Sequence, residues 1–342
     1  MNLILNYILF LSKIFTIFLF ISLTFFIILN ITRKKNKEKF KLDVISLNDH
    51  YKSLKNQVIF SKLSKYEKKI WNKKYKKIEK EQLKNNVALI KKNNYCLFNK
   101  IQPTLYVLDF KGSINAKEVD SLREEISAII LVFRKHDEVL LRLESGGGTI
   151  NGYGLAAAQL QRLKDKNIYL TISIDKLAAS GGYMMACVAN HIIGSSFSII
   201  GSIGVVAQIP NFHKFLKKHD IDVELHTAGN YKRTLTIFGK NTSESREKFC
   251  SELNFTHTLF KEFVYNMRPS LNIEEVSNGE YWFGSIALKK GLIDSINTSD
   301  NFILSKINKF SILRIKYTSD QTMLSSFFLK VKKFLKMQFS NF

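Results

Sequence analysis

The sequence predicts an α/β domain on a largely parallel sheet, preceded by an amino-terminal apolar helix. Strand-like apolar runs alternate with segments of helical periodicity, and two glycine-rich turns directly follow such runs. The third observation is that Ile14 to Ile31 is a stretch of 18 residues without a charge. A chain of 342 residues holds such a helix and one domain of about 200 to 250 residues, a size at which a single core buries most of the apolar surface.

Leu3 to Leu11 extends the apolar character of the amino-terminal run, and a bilayer span needs roughly 20 residues. A cleavable leader has a shorter apolar core followed by small residues at an A-x-A-like site. Nothing of that kind follows Ile31, so residues 1–32 are expected to be an uncleaved, single-pass anchor. Arg33, Lys34, Lys35, Lys37, Lys39 and Lys41 follow it, against Lys13 and the terminal amine before it. The positive-inside rule then puts the remainder of the chain in the cytoplasm.

Residues 33–102 are rich in Lys and carry sparse apolar positions such as Tyr51, Leu54 and Val58 at helical spacing, which predicts a charged helical stalk, with disorder as the competing expectation. In residues 311–342, Leu324, Phe327, Phe328, Val331, Phe334 and Leu335 form one stripe beside Lys330, Lys332, Lys333 and Lys336. This is the pattern of a basic amphipathic helix on an anionic membrane surface or in an oligomer contact. The formal net charge of +23 would suit nucleic acid, yet no recognition motif accompanies it, and a lipid bilayer is the expected partner. Cys96, Cys187 and Cys250 show neither CxxC nor His-paired spacing, so no disulfide framework, metal site or cofactor is indicated.

Pro103 marks a change of character, and residues 103–310 form the expected catalytic domain. Leu105 to Phe110, Val139 to Leu143 and Ile168 to Ile174 read as strands, and Lys117 to Arg134 and Tyr153 to Lys164 as helices. A second uncharged run, Tyr183 to Pro210, contains Gly194, Gly201, Gly204, Asn190 and His191; it divides into a buried helix, a short strand and a glycine-rich turn rather than a second span.

The glycine-rich turns are Glu144 to Gly148 and Ala178 to Gly182. Glycine there lets backbone N–H groups approach a ligand closely, and two such donors aimed at a developing oxyanion are what acyl transfer requires. Ser180 sits at the second turn beside a helix amino-terminus, which favours negative charge; a plain helix cap would look the same. A serine nucleophile needs a base. None of the seven histidines sits in a triad-like motif, His191 reading as a core residue and His257 lacking an evident carboxylate partner. Lys232, in Gly229-Asn230-Tyr231-Lys232-Arg233, is the better candidate if it is desolvated, because only a neutral amine accepts the serine proton. Ser202, in Gly201-Ser202-Ile203-Gly204, is available to orient that amine.

Three motifs in this order, D-x-x-A-A-S-G-G-Y at Asp175 to Tyr183, G-S-I-G-V at Gly201 to Val205 and G-x-Y-K-R at Gly229 to Arg233, resemble the signal peptide peptidase (SppA/SohB) family of serine peptidases. Tyr281-Trp282-Phe283-Gly284, Ala287 and Gly291-Leu292-Ile293-Asp294 are similar to its closing pattern, and Arg142 to Ala157 to its short, single-domain form. The resemblance covers about residues 1 to 310. It implies Ser180 as nucleophile, Lys232 as general base, Ser202 as the residue positioning the lysine amine, and the N–H groups of Gly147 and Gly181 as the oxyanion hole. It also implies a Clp protease/crotonase-like ββα spiral core, ring-type homo-oligomers, peptide or protein substrates that include signal-peptide remnants, and a cell inner membrane location. Its usual description places the catalytic domain outside the cytoplasm, opposite to the charge count. One departure stands out: the Pro of the family's S-P-G-G is Gly146 here, which removes a fixed φ.

Two other readings share these features. A crotonase-type acyl-CoA enzyme would use the same pair of N–H donors for an enolate, but it needs catalytic carboxylates near the turns and has no use for the lysine. A catalytically inactive membrane scaffold would be expected to lack Ser180, Ser202 or Lys232, and all three are present.

Overall fold

The computed structural model describes residues 2–33, 40–92, 102–229 and 231–319. The amino-terminal run is one helix, α1 (Asn2–Arg33), of 32 residues, about 48 Å long at ~1.5 Å per residue. Its described side chains run without interruption only from Phe10 to Thr24, and among the described residues no helix is long and apolar enough to cross a membrane. The expected amphipathic tail, most of the basic run after Arg33, and Cys96 lie outside the described residues. The chain divides into two compact units, one of Met1–Asp43 with Tyr317–Phe342 and one of Val44–Lys316.

Residues expected to form a stalk hold a strand, β1 (Phe40–Ser46), and helices α2 (Leu47–Lys62) and α3 (Lys65–Lys92). The described residues after β1 are helical in α2 and α3, and β1 carried no legible signal. The Ser46 side chain caps α2 by accepting from the Asp49 N–H at 3.3 Å. Asn48 donates from Nδ2 to the carbonyls of Ile307 and Phe310, both at 3.1 Å, and accepts from the Ile312 N–H at 2.6 Å. The first turn of α2 is therefore fastened to the end of α11 (Ser299–Lys306) and the start of β10 (Ser311–Ser319) by hydrogen bonds.

The body alternates as the periodicity predicts: β2 (Thr104–Lys111), α4 (Val119–Val132), β3 (Glu138–Glu144), α5 (Ile150–Asp165), β4 (Tyr169–Ile174), β5 (Leu177–Ala179), α6 (Gly181–Ala186), β6 (His191–Gly194), β7 (Ile199–Gly201), α7 (His213–Lys218), α8 (Ser243–Met267), α9 (Ile273–Val276), β8 (Tyr281–Phe283), α10 (Gly284–Lys289), β9 (Ser295–Ile296), α11 (Ser299–Lys306) and β10 (Ser311–Ser319). Six of these strands pair in the order β10-β2-β3-β4-β6-β9, every pairing parallel. A smaller sheet has the order β5-β7-β8, with β5 and β7 parallel and β7 and β8 antiparallel.

Both faces of the larger sheet are buried, which is why its strands read as nearly continuous apolar runs. In β2, Tyr106, Leu108 and Phe110 face the main core with α4 and α5, while Leu105 and Val107 join Leu140, Ile303 and Ile312 in a second cluster on the opposite face. In β3, Val139, Leu141 and Leu143 face the main core and Leu140 the second cluster, the period of two expected of a strand. The run from Tyr183 to Pro210 divides into α6, β6 and β7, with Tyr183, Met185, Ile192 and Ile200 buried. Among the described residues from 202 to 242 only α7 is regular, and the stretch carries exposed apolar side chains, Val206, Phe212 and Phe215 among them.

Candidate active site

The larger sheet ends β3 at Glu144, and the chain continues through Ser145-Gly146-Gly147-Gly148 into α5. Ser145 bridges to the smaller sheet: its N–H donates to the Leu177 carbonyl at 2.9 Å and its carbonyl accepts from the Ala179 N–H at 3.0 Å. Pairing of this kind brings the two glycine-rich turns side by side. At Gly147, φ is +85°, and an added Cβ would lie 2.7 Å from the Gly181 nitrogen and 2.8 Å from the Ser180 Cβ. Only glycine fits that position.

Ser180 stands between β5 and α6 with φ 52° and ψ −119°. A positive φ is costly for a residue with a Cβ, by about 1–2 kcal/mol, and such strain persists where the surroundings impose it. The imposing contacts are clear: the Ser180 N–H donates to the Gly201 carbonyl at 2.8 Å, and its carbonyl accepts from the Met184 N–H at 3.0 Å. Ser180 directly precedes the first turn of α6, whose leading N–H groups have no intrahelical acceptors.

Tyr153, fully buried on α5, braces both turns. Its hydroxyl lies 2.5 Å from Ser145 Oγ and donates to the Ser113 carbonyl at 2.9 Å, and Ser145 Oγ accepts from the Gly147 N–H at 3.1 Å. Its ring lies so close to Gly181 that an added Cβ there would be 2.4 Å from Cγ. Burial raises the Tyr153 phenol above its usual range, against a hydrogen bond from Ser145 that lowers it, so the hydroxyl keeps its proton. The Gly147 N–H is thereby tied into the turn.

Two connected clefts meet at Ser180. The first, of about 450 Å³, is walled by Ile150, Tyr153, Met184, Val205, Leu259, Phe260 and Phe263. The second, of about 590 Å³, includes Gly146, Gly147, Gly148, Ser202, His257 and Asn278. Thr256, Leu259, Phe260 and Phe263 recur at helical spacing on one face of α8.

Of the residues singled out from the sequence, Ser180, Ser202 and Gly147 line the second cleft, and Ser180 and Gly181 the first. Ser202, at φ 51°, is held by its N–H to the Glu280 carbonyl at 2.7 Å, and its Oγ donates to the Gly279 carbonyl at 3.2 Å. Lys232 is exposed and, among the described residues, is not part of either cleft.

Motif residues without an assigned role prove architectural. Asp175 accepts from the Ser299 N–H at 2.8 Å and from Ser299 Oγ, fixing the corner before β5 to the start of α11. Asp294 pairs with Arg268 at 2.6 Å and accepts from the Ile192 N–H at 2.7 Å. His191 is partly buried, its Nε2 3.0 Å from Ser295 Oγ. Sequence reasoning missed Tyr153, Ser145 and the α8 wall. Tyr153, Ala156, Ala157 and Leu160 share one buried helical face, but the bond of Tyr153 to Ser145 is a tertiary contact with no local signature in the sequence.

Comparison with known proteins agrees with these motifs. The model of "Peptidase family S49 N-terminal" matches residues 2–160, and that of "Peptidase family S49" matches residues 162–310. The chain is 65% identical over 306 residues to a protein named "Probable protease SohB" from Buchnera aphidicola subsp. Schlechtendalia chinensis, covering 90% of this chain and 100% of that one. It is 46% identical over 323 residues to "Probable protease SohB" of Haemophilus influenzae, covering 94% of this chain and 91% of the other. A solved structure of a mutant of the 1510-N membrane-bound stomatin-specific protease, in complex with a substrate peptide, aligns with a TM-score of 0.42 and 14% identity, covering 66% of this chain and 98% of that one. Family models over nearly the whole body, with relatives of such identity, place the chain in peptidase family S49, as a SohB-type serine peptidase.

Proposed function

We propose that this peptidase is a membrane-anchored serine endopeptidase in which Ser180 and Lys232 form the catalytic dyad, on a core of the Clp protease/crotonase type. The observation that carries the reading is the position of Ser180, strained at φ 52° beside a helix amino-terminus and at the mouth of an apolar cleft.

In the reaction Ser180 Oγ attacks the scissile carbonyl carbon while its proton passes to the neutral Lys232 amine. The oxyanion is stabilised by the Gly181 N–H at the start of α6 and by the Gly147–Gly148 turn. The Gly147 N–H, which donates to Ser145 Oγ at 3.1 Å in the free site, turns to the oxyanion as the second donor. The lysine then protonates the leaving amine, and a water, deprotonated in its turn, hydrolyses the acyl-enzyme. An amine accepts only when neutral, a form that burial favours, so Lys232 must leave solvent to act. Its segment carries exposed apolar side chains, Val206 at 91% and Phe215 at 61%. Apolar surface of that kind is covered on association, and assembly into a homo-oligomer is what brings the lysine to Ser180, with the Ser202 hydroxyl orienting it.

The apolar wall of Met184, Leu259, Phe260 and Phe263 selects peptides with apolar side chains at the cut. The uncharged run of α1 holds the enzyme at the bilayer. Detergent-solubilised full chain is expected to cleave apolar fluorogenic peptides and Ser180→Ala to be inactive. Equal cleavage of charged and apolar peptides would contradict the substrate assignment, and release of the chain from vesicles by alkaline carbonate would contradict the anchor.

A further inference from the structure

Two stretches singled out in the sequence take no part in the reaction as described: Tyr183, which ends the nucleophile motif, and the closing run Gly291-Leu292-Ile293-Asp294. Neither lines a cleft at Ser180. The structure joins them. Tyr183 is fully buried, and its hydroxyl donates to the Leu292 carbonyl at 2.9 Å across 109 residues of chain. Burial raises the Tyr183 phenol far above its ordinary range, so the hydroxyl remains a donor at every working pH. The acceptor is a fixed point. Leu292 is itself buried and donates its N–H to the Ala287 carbonyl at 2.9 Å. On either side of it, Arg268 Nη2 donates to the Gly291 carbonyl at 2.9 Å and to Asp294 Oδ1 at 2.6 Å, and the Asp294 N–H donates to the Ile192 carbonyl at 2.9 Å.

The helix so anchored, α6, has six residues and opens with Gly181 and Gly182, whose backbones carry little conformational preference of their own. Tyr183 is the first residue of α6 with a side chain to hold. We propose that Tyr183 is a positioning residue for the reaction: its bond to Leu292 sets the first turn of α6, and with it the Gly181 N–H that stabilises the oxyanion. The proposal rests on the serine-peptidase reading given above. A donor stabilises the developing charge most when it is aimed beforehand, because turning it during the reaction costs free energy. Tyr153 restrains this turn by its ring against Gly181, and Tyr183 adds a second restraint from the closing motif. Substrate affinity resides in the apolar wall, of which Tyr183 is not part, so its bond acts on kcat rather than on KM.

The test uses the detergent-solubilised full chain, an apolar fluorogenic peptide and three variants. These are Tyr183→Phe, Asp294→Asn and, as a control for stability, Ile129→Val in the core on α4, which lines neither cleft. Tyr183→Phe keeps the ring and removes only the hydroxyl. It is expected to lower kcat about tenfold at wild-type KM. Its fluorophosphonate labelling should slow at every pH without a shift in the midpoint of the pH profile, because the base is untouched. Ile129→Val, assayed where the variants are folded, should keep the wild-type kcat. Asp294→Asn loosens the turn that carries Leu292 and should lower kcat about threefold, again at wild-type KM; if Tyr183→Phe does not fold, this variant decides. A wild-type kcat in the deciding variant overturns the assignment, and so does an equal fall in Ile129→Val, which would reduce Tyr183 to packing. A shifted pH midpoint overturns it too, since the tyrosine would then act through the base. Failure of wild type itself to label would overturn the serine reading beneath the proposal, a result separable from these.

Discussion

The Cα of Gly147 lies so close to Ser180 that a Cβ on it would stand 2.8 Å from the serine Cβ, at a backbone φ of +85°. The two turns are fitted to each other at the reacting atom. Gly147→Ala therefore meets both a steric and a conformational obstacle. It is expected to lower the unfolding free energy by about 2 kcal/mol or more and peptide cleavage by about a hundredfold or more, read by urea melts and by the fluorogenic assay. An alanine variant within twofold of wild type in activity would show that the turns are not fitted in this way.

Tyr153 is the brace between the turns. Tyr153→Phe keeps the ring against Gly181 but removes the hydroxyl that joins Ser145 Oγ to the Ser113 carbonyl. Loss of stability of about 1–2 kcal/mol is expected from the stranded partners, with kcat falling about tenfold and KM changing little, because the Gly147–Gly148 turn loosens while the apolar wall stays. A fall in stability with unchanged kcat would confine Tyr153 to packing.

Gly154 faces the apolar cleft from α5, and a Cβ there would meet nothing within 4 Å. Gly154→Ala should stabilise the helix by about 0.5–1 kcal/mol, seen as a small rise in Tm. Gly154→Leu should narrow the cleft and reduce cleavage next to large apolar side chains more than next to alanine. The opposite order in a peptide series would remove the cleft from the specificity argument.

Much of this was legible in advance. β2, β3 and β4 sit on buried apolar runs, and the turns at Ser145–Gly148 and Ala179–Gly181 fall where glycine follows a strand. The uncharged run after Tyr183 was separable from a membrane span because its glycines and polar residues are spaced for short elements. Other features depend on distance in the fold rather than in the chain. The His257 ring reaches Ser180's cleft only because α8 packs over α6, and nothing in its local pattern says so. Exposure of Lys232 was equally hidden, since a lysine among so many others carries no signature of its surroundings.

The closing motif makes a pH prediction. Burial acts to raise the Asp294 carboxyl, but the Arg268 hydrogen bond and the Ile192 N–H outweigh it and hold the group below the usual range. A carboxyl depressed in the folded state stabilises the fold above its unfolded value of about 3.9, and that contribution is lost as pH falls through the folded value. Chemical unfolding at a series of pH values should therefore show stability declining below about pH 4. In Asp294→Asn that part of the decline should be absent. An undiminished acid slope in the variant would assign the loss to other carboxylates.

The measurement that tests the central claim most directly is fluorophosphonate labelling of the detergent-solubilised full chain, wild type beside Ser180→Ala and Lys232→Ala, between pH 6 and 10. Labelling of wild type that rises with pH, maps to Ser180 and disappears in both variants is the predicted result. No labelling of wild type, or labelling of Ser180→Ala equal to it, would contradict Ser180 as the nucleophile, and full labelling of Lys232→Ala would contradict the dyad.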